Sequence, residues 1–370
     1  MEARDQSDSF SPPFDSIKVA RPSNSLSQIN RASVTMDNQP SPSANVLLYG
    51  AGSVGGVYLY QLLQAGCNVT AVCRSNYETV KKHGFKLSSV RYGEVTYRPT
   101  VVVRNISECA DDTFDFVLVC TKSFPGSTPS LPEQLHPVLD GRPQTAIILA
   151  QNGIMIEEEV IAAFPQNPVI SGVIYLPAVQ TGPGTIEYPE MLNLFELGTY
   201  PSTAPESHKV AARQFADLMI KGGGDAEVHE DIQVARWSKL LLNAAWNPIC
   251  ALTLTTDGDF LLTSEPYAYD LAWGVMLEII ELARAVGIEG VTPEVAEKKL
   301  SIAKKRAEMG TGREVSMLQD VRQGRAIEVE AILGNAVKLG KQKNVPMPRL
   351  ETIYALTKAR GWALAKDRGT

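Results

Sequence analysis

Short apolar runs of strand length recur between residues 45 and 229, separated by amphipathic stretches and polar turns, and beyond about Glu230 the spacing changes to that of helices. The first run, Val46-Leu-Leu-Tyr49, is continuous, as a strand buried on both faces requires. It breaks into Gly50, Gly52 and Gly55, resumes as a helix-like stretch through Leu63, and passes Ala65-Gly66 into a second strand-like run over residues 68–73. A helix-like piece at 76–83 follows, and then residues 85–90 and 94–103 alternate around Tyr92-Gly93, the pattern of a hairpin. Strand runs return at 114–120 and 145–150, and a second β region spans 169–199 with the turn Thr181-Gly-Pro-Gly184. A helical stretch over 206–221 leads through Gly222-Gly-Gly224 to a short run at 226–229. From there the helical period is sustained over 231–252, 267–286, 293–308, 316–344 and 348–366.

Strand, glycine turn and helix in that order give the three glycines separate steric tasks: a tight turn, close approach of a pyrophosphate, and close packing of helix on strand. The motif Gly50-Ala-Gly-Ser53-Val54-Gly55 therefore predicts a phosphate site on a helix N-terminus. The fold expected is an α/β Rossmann-type dinucleotide-binding domain over residues 44–229, followed by an all-α substrate and catalytic domain over 230–370. The runs at 114–120 and 145–150 stop at Thr121-Lys122 and Gln151-Asn152-Gly153. Ligands of an open parallel sheet bind beyond the carboxyl ends of its strands, which puts Lys122 and Asn152 where a dinucleotide would lie. Asn152-Gly153 also reads as a plain turn. An NAD-specific fold places a carboxylate near the end of the second strand, whereas this chain has Cys73-Arg74-Ser75 there. A guanidinium suits a ribose 2′-phosphate, so NADPH is the expected cofactor, with Arg74 as its phosphate ligand.

Residues 1–43 are rich in Ser, Pro, Asn and Asp and bury little, so they read as a disordered tail. Glu2, Asp5, Asp8 and Asp15 sit badly with an acidic-poor presequence, which favours a cytoplasmic over a mitochondrial location. The net charge of −6 argues against a nucleic-acid partner. No apolar stretch reaches the roughly eighteen residues a membrane helix needs, so no membrane partner is expected. Five cysteines without a C-x-x-C pair and four scattered histidines point to reduced thiols and to no metal site.

The chemistry concentrates in Arg236-Trp-Ser-Lys-Leu-Leu-Leu-Asn-Ala-Ala-Trp-Asn-Pro248. Lys239, Asn243 and Asn247 recur every fourth residue, within an arc of roughly 80° on a helix that is otherwise apolar. Buried amides and ammonium groups are costly unless paired, so the stripe either lines a polar cleft or is a snorkelling lysine with two amides bonded to backbone. A desolvated lysine, its pKa lowered toward neutrality, can protonate a carbonyl oxygen as hydride reaches the carbon.

With those pieces in view, the chain resembles the ketopantoate reductase (2-dehydropantoate 2-reductase) family from Asn45 to its C-terminal end. The matching pieces are Gly50 to Gly55, Cys120-Thr-Lys122, Gln151-Asn-Gly153, Trp237 to Asn243 with Asn247-Pro248, and Ser316-Met-Leu-Gln-Asp320 with Ile327-Glu-Val-Glu330. The resemblance implies NADPH-dependent reduction of a branched 2-keto acid, 2-dehydropantoate to (R)-pantoate being the parent reaction, in pantothenate biosynthesis. It implies Lys239 as general acid and Glu328 as the group that holds substrate and orients the site. Asn152, Asn243, Asn247 and Ser316 would bind the keto acid, Lys122 would contact the cofactor, and a homodimer is allowed. From spacing alone, Glu328 lies beside a helical apolar face but reads first as a solvated helix carboxylate, and Ser316 is equally an N-cap. The chain departs from the family at Arg313-Glu-Val-Ser316, where an Asn-Arg-Ser-Ser-like run is usual, which bears on the identity of the keto acid. A paralogue acting on another ketone and a non-catalytic NADP-sensing protein are the competing readings; the sensor predicts loss of a stripe that this chain retains.

Overall fold

The computed structural model of the chain describes residues 42–367, so the tail expected over 1–43 lies outside it up to residue 41. Ser43 is already tied to the folded chain, its N–H donating to Gly66 O at 2.9 Å and its hydroxyl to Ala65 O at 2.8 Å.

Eight strands form the main sheet: β1 (Asn45–Tyr49), β2 (Asn68–Val72), β5 (Val101–Val103), β6 (Phe116–Val119), β7 (Ala146–Ala150), β8 (Val169–Tyr175), β11 (Leu194–Thr199) and β12 (Asp225–Val228). A separate four-stranded sheet holds β3 (Phe85–Ser89), β4 (Gly93–Tyr97), β9 (Val179–Gly182) and β10 (Thr185–Tyr188). The main order is β12-β11-β8-β7-β6-β1-β2-β5, parallel except where β11 runs antiparallel to β8. β1 is flanked by β2 on one side and β6 on the other, so the winding direction reverses beside it and opens a crevice at the carboxyl ends of those strands. The central strands carry Val46, Leu47, Leu48, Val117, Leu118, Ile147 and Ile148 with no exposure, which is why their sequences read as unbroken apolar runs.

Two expectations need correction in this half. The alternation over 94–103 is not one strand: β4 ends at Tyr97, and β5 pairs in parallel with β2 in the other sheet. Pro99 lies between them without an N–H for a ladder, and Thr100 Oγ1 accepts the Val69 N–H at 3.0 Å as the chain changes sheets. The β region over 169–199 likewise divides, β8 and β11 entering the main sheet and the β9–β10 hairpin the small one.

Beyond β12 the described chain is helical. The helix Ile232–Thr253 is capped by Asp231, whose carboxylate accepts the Gln233 N–H at 2.9 Å, and it buries Trp237, Leu240, Leu241, Ala244, Ala245 and Trp246. Around it pack the helices Tyr267–Ala285, Pro293–Glu308 and Pro348–Asp367, close to the spans their periodicity predicts, together with a short helix Asp257–Thr263 that periodicity does not. The long helix expected over 316–344 is broken. The helix Ser316–Arg322 stops at Gly324, whose φ of +63° ends the right-handed turn, and residues 325–328 are non-helical. The chain then re-enters through a π-helical segment, Glu330–Gly334, and continues as the helix Asn335–Lys343. Glu328 therefore stands just before a helix and not within one.

Candidate active site

At the end of β1 the three glycines meet three different surroundings. Gly50 has φ +106°, and a Cβ there would lie 2.5 Å from Thr121 N, so the main chains leaving β1 and β6 touch. A Cβ on Gly55 would lie 2.1 Å from Gly50 O, because the helix Ser53–Gln64 starts directly against the strand. Gly52 has no atom nearer to such a carbon than Gln180 Oε1 at 3.9 Å. Space is thus kept where the N–H groups of the first helical turn, Ser53 and Val54 included, are free of intrahelical partners. These surroundings fit a dinucleotide's pyrophosphate, the close approach being preserved at the glycine whose side the protein leaves open. Arg74 is exposed immediately past β2, its guanidinium 5.9 Å from the Tyr49 ring centre. It makes no ion pair among the described residues, and the loop that carries it is pinned to the glycine turn by Asn76 Nδ2 donating to Ala51 O at 2.9 Å.

Lys239 lies across from the ends of β7 and β8. Its ammonium donates to Asn152 Oδ1 at 2.9 Å and to Ile174 O, and sits 5.1 Å from the Tyr175 ring centre. Gln151, Asn152, Gly153, Val173, Arg236, Lys239, Leu240 and Asn243 line one cleft of about 210 Å³. The lysine keeps some solvent exposure, yet the packing about its amine is close. Desolvation first, then the Arg236 charge, push its pKa down to about 7, with Glu328 and Glu196 opposing and Lys299 adding to the fall.

Asn247, two turns beyond Lys239, is buried and differently employed: its Oδ1 accepts the Met317 N–H at 3.2 Å and the Ser316 hydroxyl at 3.3 Å. It thereby satisfies the first turn of the helix Ser316–Arg322. Ser316 is exposed and is not the N-cap; Val315 occupies that position, and its side chain offers no cap bond. The stripe thus splits, Lys239 and Asn243 facing the cleft with Asn152 while Asn247 joins two helices.

Glu328 is buried, its carboxylate accepting the Ser123 N–H at 2.9 Å. Burial raises its pKa, against the pull of Lys122 and the Ser123 bond. Lys122 pairs with Asp320, which is also held by Arg325 at 2.9 Å. The exit of β6 is therefore bonded twice to the helical half, next to the glycine turn on one side and the lysine cleft on the other. Gly153 makes a further junction: φ is +98°, a Cβ would lie 2.4 Å from Ala331 O in the π-helical segment, and Ile154 N donates to that oxygen at 3.2 Å. A π-helical turn is rare and often marks a functional site; here it docks the Asn152 turn.

Arg313 lies 3.6 Å from Glu190 across to the β10–β11 connection, with its side chain 42% exposed. Glu314 pairs with Arg322. Sequence reasoning missed Arg236 and Glu157, a buried ion pair at 2.9 Å whose arginine lines the cleft. A charged residue between Ala235 and Trp237, one turn before the lysine, was the available signal. It also gave no hint that Glu196, Glu227 and His229 bring three ligand-type atoms within 4.8 Å of one another at the β11–β12 edge.

Comparison with known proteins covers nearly all described residues. The sequence model described as "Ketopantoate reductase PanE/ApbA" matches residues 46–201, and the one described as "Ketopantoate reductase PanE/ApbA C terminal" matches 231–361. The chain is 29% identical to a 2-dehydropantoate 2-reductase of Mesorhizobium japonicum, over 88% of this chain and 98% of that one. It is 29% identical to an uncharacterized protein of Saccharomyces cerevisiae, over 85% and 92%. Among solved structures, the 2-dehydropantoate 2-reductase from Methylococcus capsulatus is 35% identical and superposes with a TM-score of 0.74, covering 87% of this chain and 98% of that one.

Proposed function

The chain belongs to the ketopantoate reductase family, and from that premise we propose that it reduces a branched 2-keto acid with NADPH, 2-dehydropantoate to (R)-pantoate being the reaction expected. The observation that carries this reading is the half-buried Lys239 amine, its pKa lowered to about 7, on a cleft shared with Asn152 and Asn243.

Bound at the glycine turn, the dinucleotide supplies a hydride to the keto carbon. Gly50, Gly52, Ser53, Val54 and Gly55 hold its phosphates, and Arg74 takes the ribose 2′-phosphate. Lys122 and Asn152, at the exits of β6 and β7, stand beside the path from there to Lys239. As the carbonyl carbon gains the hydride, its oxygen takes a proton from the Lys239 ammonium, so the product is the alcohol and the lysine is left as the amine. A proton donor works best with a pKa near the working pH, and this amine meets that condition through burial and the Arg236 charge. Asn152 and Asn243 are placed to orient the keto acid in the cleft. Glu328, held by the Ser123 N–H just before the π-helical segment, favours the ammonium form of Lys239 and is assigned to substrate. Asn247 and Ser316 are bonded to each other, so their contribution is to fix the helix Ser316–Arg322 against the helix that carries Lys239.

The test is a comparison of NADPH consumption with 2-dehydropantoate and with a panel of other 2-keto acids. The expected result is the highest kcat/KM for 2-dehydropantoate. Ready reduction of a different keto acid with none of 2-dehydropantoate overturns the substrate and leaves the reaction type standing. Binding of NADPH without turnover of any keto acid overturns the enzyme reading.

A further inference from the structure

Arg236 precedes Lys239 by three residues on the same helix, near neighbours on one face. Arg236 is 3% exposed, and its guanidinium reaches three segments of the chain at once. Nη1 donates to Gln151 O at 3.0 Å and to Gly153 O at 2.7 Å, gripping the turn on both sides of Asn152. Nη2 donates to Gly172 O at 2.9 Å, on β8 two residues before Ile174. Nε donates to Ser171 Oγ at 2.9 Å and lies equally close to Glu157 Oε1. Asn152 Oδ1 and Ile174 O are the two acceptors of the Lys239 ammonium. We infer that Arg236 is a positioning residue, which assembles both acceptors of the Lys239 amine from the lysine's own helix and holds a second positive charge beside it.

This inference rests on the reading of Lys239 as proton donor, and it deepens that reading by naming what tunes the donor. Glu157, with no exposure, balances the guanidinium and takes bonds from Ser171 Oγ at 2.6 Å and Gln233 Nε2 at 3.2 Å. A planar fork is needed, because one ammonium cannot span carbonyls of the turn after β7 and of β8 at once, so lysine is not equivalent here. Other groups also face the Lys239 amine. Glu328 approaches from the segment before the π-helical turn, Glu196 from β11, Lys299 from the helix Pro293–Glu308, and the Tyr175 ring from β8. Among the charges, Arg236 has the largest influence and the sign that favours proton release.

The experiment reads the ionisation of Lys239 without turnover, so its outcome is independent of whether any keto acid is a substrate. The full chain is labelled with ¹³Cε-lysine, and the Lys239 signal is assigned by its loss in Lys239→Arg. Wild type, Arg236→Gln and the charge-balanced double variant Arg236→Gln/Glu157→Gln are then titrated by NMR. Loss of a neighbouring positive charge should raise the Lys239 titration by about one pH unit or more in both variants. An unmoved titration in folded protein, with only a lower Tm, overturns the inference and leaves Arg236 as a structural ion pair. Should neither variant fold, Arg236→Lys keeps the charge and is read by amide exchange of residues 151–154. Faster exchange there supports the clamp, and unchanged protection overturns it.

Discussion

Lys239→Ala is expected to lower kcat for keto-acid reduction by about 10²- to 10⁴-fold, the usual cost of removing a positioned general acid, while NADPH binding is retained. The amine's partners are Asn152 and the Ile174 carbonyl, both at the ends of strands whose cores lie elsewhere, so the substitution removes the donor with little demand on the fold. The glycine turn at Gly50 to Gly55, to which the dinucleotide is assigned, belongs to a different pair of elements. The pH dependence has a defined sign. Donation requires the ammonium, and its pKa is about 7, so wild-type reduction should be level below that pH and fall as pH rises through it. Oxidation of the alcohol needs the amine and should show the opposite limb. The alanine variant should lose this limb along with its rate. Steady-state kinetics across pH, with a fluorescence titration of NADPH, check both parts, and ordinary turnover by the variant would show that the amine is structural.

Arg74→Ala should weaken NADPH about ten- to a hundredfold and leave NADH nearly unchanged. Hydrogen bonds to charged groups contribute about 1.5–3 kcal/mol, and only the phosphorylated dinucleotide carries the group that Arg74 is assigned to meet. The guanidinium is exposed past β2, has no carboxylate partner among the described residues, and is steadied by the bond from Asn76 to Ala51 O. Lys122 is a poor substitute because Asp320 already engages it. Paired titrations of the two dinucleotides decide the matter. Equal losses for both would remove Arg74 from the 2′-phosphate site.

What the sequence disclosed and what it hid follow one division. The glycine turn and the Lys239 stripe were legible because each is local: three glycines after a strand, or polar residues every fourth position, report their environment within a dozen residues. Apolar runs such as 146–150 gave the parallel sheet for the same reason. The Arg236–Glu157 pair was not legible, since the two residues lie far apart in the chain and become partners only when the turn after β7 meets the helix Ile232–Thr253. Asn247 shared the spacing of Lys239 but not its role, because the short helix at Ser316 arrives from elsewhere and needs an acceptor at its first turn. The break before Glu328 was a different kind of miss. Gly324 was a visible stop, but helical periodicity on both sides of it outweighed one glycine, and it is this break that frees Glu328 to meet the Ser123 N–H.

The central claim, hydride delivery to the keto carbon of 2-dehydropantoate by this protein, is tested most directly by isotope transfer. The enzyme is given 2-dehydropantoate and NADPH carrying deuterium at the transferable position of the nicotinamide, and the isolated product is examined by NMR. The account predicts one deuterium on the carbon bearing the new hydroxyl and a single configuration there; pantoate without deuterium, or no pantoate at all, would contradict it.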